Sequence, residues 1–191
     1  KRFIGRRSAE LDQSLVDKYP FNIDNSNEKV GVYSEKLDRR FECEELSAQI
    51  LLEIKSNAER FLNESINDCV ITVPAYFDNN QRLATKKAAQ IAGLNVQRLI
   101  SEPTAAAFAY EISKNNNNSV SLIVDLGGGT FDISMVKSTG NNLDAFSVIA
   151  TLGDRELGGD DFTNKIVEYI SNSIQKENAN FNLNPSIQNL L

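Results

Sequence analysis

The hydrophobic and polar positions of the chain change their period in a readable order. The first forty residues are mixed and polar, and residues 29–36 (KVGVYSEK) predict one short strand. A helical pattern then begins at Cys43, with Leu46, Ile50, Ile54, Ala58, Phe61 and Leu62 recurring at three- and four-residue spacing. The apolar run at residues 69–73 (CVITV), halted by Pro74, predicts a buried strand that ends in a fixed turn. Asp78 is placed to cap a helix through residues 81–92, with Gln81 as its capping-box partner and Gly93 as the stop. Residues 94–100 (LNVQRLI) predict another strand. Residues 102–113 (EPTAAAFAYEIS) predict a helix with Pro103 at its first position and Glu102 at its mouth. Strand, helix, strand, helix is the wiring of an α/β fold.

The second part of the chain reads differently. Residues 114–119 (KNNNNS) are the one low-complexity segment and predict an exposed turn between two similar half-domains. Residues 119–126 and 130–136 read as two strands about a glycine turn, and 143–153 as a third strand. A helix starts at Gly159 with Phe162, Ile166, Ile170 and Ile174 on one face.

Composition narrows the function. The 191 residues are 41% hydrophobic and 24% charged, which suits folded cores. A net charge of −6 leaves no basic footprint for nucleic acid. No residue is His, so Ser/His and Cys/His nucleophiles and His-based metal sites are excluded. Cys43 and Cys69 lack CxxC spacing and predict two reduced thiols. No run approaches the ~18 apolar residues of a membrane span. The opening KRFIGRR lacks an initiating Met and an apolar signal core, and the closing IQNLL stops inside a helix-like pattern. Both ends are expected to be internal to a longer chain.

The densest chemistry lies at residues 123–134 (IVDLGGGTFDIS). Gly127, Gly128 and Gly129 permit positive φ and a close backbone approach to a ligand, so several N–H groups can converge on one phosphate. No Gly-Lys-Ser/Thr follows, and the chain leaves the turn into a strand, so this is not a P-loop. Beyond the turn, the strand period puts Thr130, Asp132 and Ser134 on one face, with Asp125 entering from the other strand. Two carboxylates beside a phosphate-binding hairpin suit Mg²⁺ held mostly through its waters.

DLGGGTFD, VPAYFDNNQR, SEPTAAAFAY, LGGDDF and KRFIGRR resemble, in order and spacing, the motifs of the 70-kilodalton heat-shock chaperone family. The resemblance implies an actin-like ATPase fold of the ribonuclease H-like type, closing over ATP or ADP with Mg²⁺ and a monovalent cation such as K⁺. The segment would hold the later part of lobe I and the start of lobe II. Residues 1–42 would end the outer subdomain of lobe I, and 43–118 would be its inner subdomain. Residues 119–157 would start the inner subdomain of lobe II, and 158–191 its outer subdomain. The family's first phosphate loop would precede Lys1, and the adenine-binding residues and the peptide-binding domain would follow Leu191.

Residue by residue, Lys1 matches the family's catalytic lysine and Glu102 a glutamate near metal-bound waters. Asp125 matches the carboxylate that places the attacking water. Thr130 and Asp132 match phosphate- and ion-site groups. Gly127, Gly128, Gly129, Gly158 and Gly159 match the phosphate-binding backbone. Pro74, Arg82 and Arg98 match residues that couple the nucleotide state to the peptide-binding domain. The implied partners are client polypeptides, a J-domain co-chaperone and a nucleotide-exchange factor, with neither nucleic acid nor membrane. The implied location is the cytoplasm, with an organellar matrix as the alternative. Ser101 stands where the family commonly has Asn, Glu111 where it has Gly, and Arg155-Glu156 replaces the usual pair before LGG. Asp78 and Asp160 are closer to the HscA-type iron–sulfur-assembly branch, which leaves the branch open. Two further readings stay open, a non-hydrolysing actin-like relative and an actin-like small-molecule kinase.

Overall fold

The computed structural model describes residues 1–17, 19, 21–112, 118–140 and 142–178. The turn expected at 114–119 falls mostly outside the described residues, as do the side chain of Glu111 and the stretch from 179 onward.

The short α1 (Gln13–Val16) precedes an antiparallel sheet of β1 (Asn22–Asp24), β2 (Gly31–Ser34) and β3 (Arg39–Glu42). The 20-residue helix α2 (Cys43–Leu62) follows directly. Its first turn carries Glu44 and Glu45, where negative charge meets the positive end of the helix dipole, and the Glu42 N–H donates to Glu45 Oε2 at 2.8 Å. Asn63 ends it in the left-handed conformation at φ 55°. β4 (Asp68–Val73) and β5 (Asn95–Ser101) pair in parallel, joined by α3 (Asn79–Ile91) as the crossover. The capping box of α3 is formed, with Gln81 N–H donating to Asp78 Oδ1 at 2.9 Å and Asp78 N–H to Gln81 Oε1 at 3.3 Å. Gly93 breaks the chain out of the helix at φ 68°. α4 (Glu102–Ile112) begins one residue earlier than its proline suggests. It is followed by the antiparallel β6 (Ser119–Leu126), β7 (Phe131–Ser138) and β8 (Phe146–Asp154), and by α5 (Gly159–Glu177).

Among the described residues three clusters form the core. One holds Ile4, Ile23, Val30, Cys43, Val73, Phe77 and Ala84, and so ties the N-terminal segment to both sheets of the first part. The second packs α2 on α3 through Ala48, Ala89 and Ala92, small residues that let helices approach closely. The third joins Ala107 of α4 to Val136 and Phe146 of the last sheet, with Phe108 edge-on to Phe146 at 5.6 Å. α4 therefore touches β4 and β5 on one side and β6, β7 and β8 on the other.

Two expectations are corrected. β4 is not buried on both faces: Val70 and Thr72 lie exposed and Val73 is buried, because among the described residues only β5 pairs with it and one side is covered. The stripe Leu46, Ile50, Ile54, Phe61 and Leu62 of α2 lies open, with Phe61 88% exposed. The neighbouring stripe through Glu44, Ala48 and Leu51 is the one that packs. Glu44 is 2% exposed and is held by Lys29 at 3.2 Å and Lys87 at 3.9 Å, so its burial is compensated. Both cysteines are free thiols, and burial pushes the Cys43 thiol up to about 11, leaving it inert at neutral pH.

Candidate functional site: an acidic crevice beside a glycine hairpin

β4 and β5 run parallel with Val73 opposite Ser101, so the segments leaving their carboxyl ends emerge side by side. Ligands of α/β sheets bind at this edge, where loops and helix N-termini converge. Here it presents Pro74 and Ala75 from one strand and Glu102 from the other. Ser101 Oγ accepts from the Thr104 N–H at 3.3 Å, a hydroxyl serving the first turn of the helix that Glu102 opens.

The β6–β7 hairpin faces this edge. Its register sets Asp125 directly across from Asp132, and Ile123 across from Ser134. Pro74, Glu102, Asp125, Asp132 and Ser134 line a cavity of about 10 Å³, room for one water. Lys1 reaches the same crevice: its Nζ donates to Glu102 Oε1 at 2.6 Å across 101 positions of sequence. Lys1 is 55% exposed and Glu102 17%, so the ammonium stands at the mouth and the carboxylate within.

The carboxylates bear on each other. Burial pushes the Asp132 carboxyl above its ordinary value, and Asp125 opposite adds to the rise. A hydrogen bond from Thr130, and the charges of Lys1 and Arg155, oppose it. Burial and the nearby Asp132 also raise the Tyr76 phenol, again against Thr130. Among the described residues, no group of three or more Asp, Glu or Cys side chains converges closely enough to hold an ion directly. The arrangement suits an ion that keeps its waters.

The hairpin tip corrects a further expectation. Among the described glycines positive φ occurs at Gly5 and Gly93 but at none of Gly127, Gly128 or Gly129. The glycines here serve close approach. A Cβ on Gly158 would lie 2.4 Å from the Gly128 carbonyl oxygen, so the two loops pack backbone on backbone. Gly159 N–H donates to Gly127 O at 3.0 Å and Asp160 N–H to Gly128 O at 2.9 Å. The first amides of α5 thus hold the hairpin tip. At Gly128 a Cβ would meet nothing within 4 Å, which leaves that side open to a ligand.

Arg2 locks the assembly, and sequence reasoning missed it. Its guanidinium donates to Gly129 O at 3.0 and 2.6 Å, to Tyr19 Oη at 2.8 Å and to Asp161 Oδ2 at 2.9 Å. Burial works against its charge, but the bonds to Tyr19 and Asp161 prevail and raise its pKa. Asp161 also accepts from Gly158 N–H at 2.8 Å, so one carboxylate serves both loops. No local spacing signals this contact, because the partners lie 17, 127 and 159 positions away.

The coupling candidates lie around the crevice. Pro74 is buried in its wall, and Arg82 Nε donates to Phe77 O at 3.0 Å, at the end of the turn that Pro74 opens. Arg98 of β5 pairs with Asp144, just ahead of β8, at the surface.

Fold and site together define a mixed α/β protein with an acidic crevice edged by two interlocked glycine loops. The chain belongs to the Hsp70 protein family, whose family model matches residues 1–190. It is 45% identical over 179 residues to the chaperone protein dnaK of Guillardia theta, covering 94% of this chain and 28% of that protein. It is 43% identical over 177 residues to the chloroplastic stromal 70 kDa heat shock-related protein of Spinacia oleracea, covering 93% and 29%. It is 44% identical over 190 residues to the chaperone protein DnaK of Prochlorococcus marinus (strain MIT 9515), covering 100% and 29%. The chain spans less than a third of the length of these curated relatives.

Proposed function

We propose that the chain is a segment of the ATPase domain of a molecular chaperone, in which ATP hydrolysis drives the binding and release of client polypeptide. The observation that carries this reading is the convergence of Glu102, Asp125 and Asp132 on one crevice with Lys1 and Thr130 beside it, Lys1 bonding to Glu102 across 101 positions of sequence. In the finer reading the fold is actin-like: the segment through α4 belongs to the later part of lobe I, and the segment from β6 to the start of lobe II.

The residues fit a nucleotide with a divalent cation. Two carboxylates face each other, and burial together with the charge of Asp125 holds Asp132 above its ordinary pKa, so a cation bound between them would be favoured. Mg²⁺ would be held through its waters by Asp125, Asp132 and Glu102, where it neutralises phosphate charge. K⁺ is a second cation that the carboxylates could accept. The open side of Gly128, with Gly129, would cradle phosphate oxygens on backbone N–H groups, while the Gly127 N–H closes the turn on Thr130 O at 2.9 Å. Gly158 and Gly159 would support that cradle from behind.

Asp125 would orient the attacking water, and Lys1 and the Thr130 hydroxyl would stabilise charge on the transferred phosphoryl group as the bond to the leaving phosphate breaks. Pro74 and Arg82, joined through Phe77 O, with Arg98 at the surface, would carry the nucleotide state to a peptide-binding domain. A J-domain co-chaperone and an exchange factor would act on that state. Among the described residues no helix is long and apolar enough to cross a membrane, and the cytoplasm or an organellar matrix suits the proposed role.

The test uses the full-length chaperone carrying this segment. Lys1→Ala should leave ATP binding largely intact and cut single-turnover hydrolysis by about 10²-fold or more, as for other lost transition-state stabilisers. Hydrolysis at near wild-type rate would remove Lys1 from the chemistry.

A further inference from the structure

Beside the acidic crevice lies a second cavity, of about 110 Å³ and of opposite character. Lys1, Arg2, Arg6 and Arg155 line it together with Tyr76 and Thr130, and Glu156 is the carboxylate on its wall. Three of these cations have evident duties. Arg2 clamps the hairpin tip to α5, Arg6 donates to the carbonyls of Arg2 and Glu10, and Lys1 is paired with Glu102. Arg155, in the exposed turn between β8 and α5, is held otherwise: its guanidinium stacks over the Tyr76 ring at 4.2 Å. Stacking engages the face of a guanidinium, while its N–H donors lie in the plane and point away from the rim. Such a fork matches phosphate oxygens in pairs.

We propose that Arg155 is a further phosphate-binding residue of this site, seated by Tyr76 and directed at the terminal phosphate of a nucleoside triphosphate that lies between Thr130 and Lys1. The proposal rests on the ATPase reading above and adds to it a residue from the far side of the cleft. Three observations converge on it. The cavity wall carries four cationic side chains in a chain of net charge −6. Thr130 and Lys1 line this cavity and bond to Asp132 and Glu102 of the acidic crevice, so one ligand could span both. Tyr76 sits two residues after Pro74, so an anion that tightens the Arg155 stack would also bear on the turn that Pro74 opens.

Arg155 is exposed, so solvent and salt screen its charge and the effect is moderate. Calorimetric titration of the full-length chaperone with ATP and with ADP, in Mg²⁺, tests it. Arg155→Ala is expected to weaken ATP about tenfold and ADP less than about threefold, on the scale of one charge-assisted contact. Arg155→Lys should recover part of the loss, because it keeps the charge but not the fork. Tyr76→Ala should imitate Arg155→Ala, and Tyr76→Phe, which keeps the ring, should not. Unchanged ATP affinity in Arg155→Ala overturns the proposal, and so does an equal loss for ATP and ADP, since the contact would then lie on an inner phosphate. Failure of the unsubstituted chaperone to bind ATP would instead bring down the ATPase reading itself.

Discussion

The two faces of the β6–β8 sheet come from the same three strands yet run against the usual order of an antiparallel sheet, in which apolar residues go inward and polar residues outward. On one face Thr130, Ser134 and Ser138 are buried along with Val136 and Phe146, beneath the alanine-rich α4 and beside the crevice. On the other, Leu122, Val124, Leu126, Met135 and Leu152 stand exposed, Leu152 at 79%. The polar face is tolerated because its hydroxyls have partners. Ser134 and Thr151 share a hydrogen bond at 2.9 Å, and Ser138 donates to Gly140 O at 3.0 Å. The Asp125–Asp132 pair is different, since burial and like charge make it a local cost. A sheet that buries hydroxyls and opposed carboxylates is arranged around what its polar face does rather than for stability alone.

Four substitutions probe that contrast, the costs running from the largest to the smallest. Gly158→Ala attacks the rim of the polar face, where the added methyl would meet backbone that cannot rotate away. It is expected to cost about 3 kcal/mol, measured by chemical denaturation. A cost below about 1 kcal/mol would mean that the two glycine loops are not locked together. Next, Val136→Ala beneath α4 should cost about 2 kcal/mol, while Leu122→Ser on the open face should stay within about 0.5 kcal/mol. Equal costs at the two positions would erase the distinction between the faces.

The fourth substitution has the opposite sign. Asp132→Asn removes a carboxylate whose folded pKa is raised by burial and by Asp125, so it should stabilise the ligand-free chain at neutral pH by less than about 1 kcal/mol. A raised acid penalises the folded state where it is ionised, above its folded pKa. The gain from Asn should therefore shrink as the pH falls through that value and the aspartate protonates. Thermal melts of both forms from neutral pH downward check this; a gain that grew on acidification would reverse the assignment.

Much of the architecture was legible in the sequence because the forces that set it are local. Asp78 and Gln81 lie three residues apart and cap α3 wherever the helix packs, and Gly93 stops it. Alternation gave β6 and β7 their turn, and with it the facing of Asp125 and Asp132. The periodicity of α2 marked a helix, but its apolar positions form more than one stripe. Only packing against Ala89 and Ala92 selected the stripe through Ala48 over the one through Ile50. The glycine run announced a special backbone, yet close approach to Gly158, thirty residues on, is its reason rather than positive φ. Arg2 and Arg155 carried no spacing signal at all, because each is defined by partners from distant segments. Caps, turns and strand period follow from neighbours within a few bonds. Which face is covered, and which cation meets which loop, follows from contacts that exist only once the chain has closed on itself.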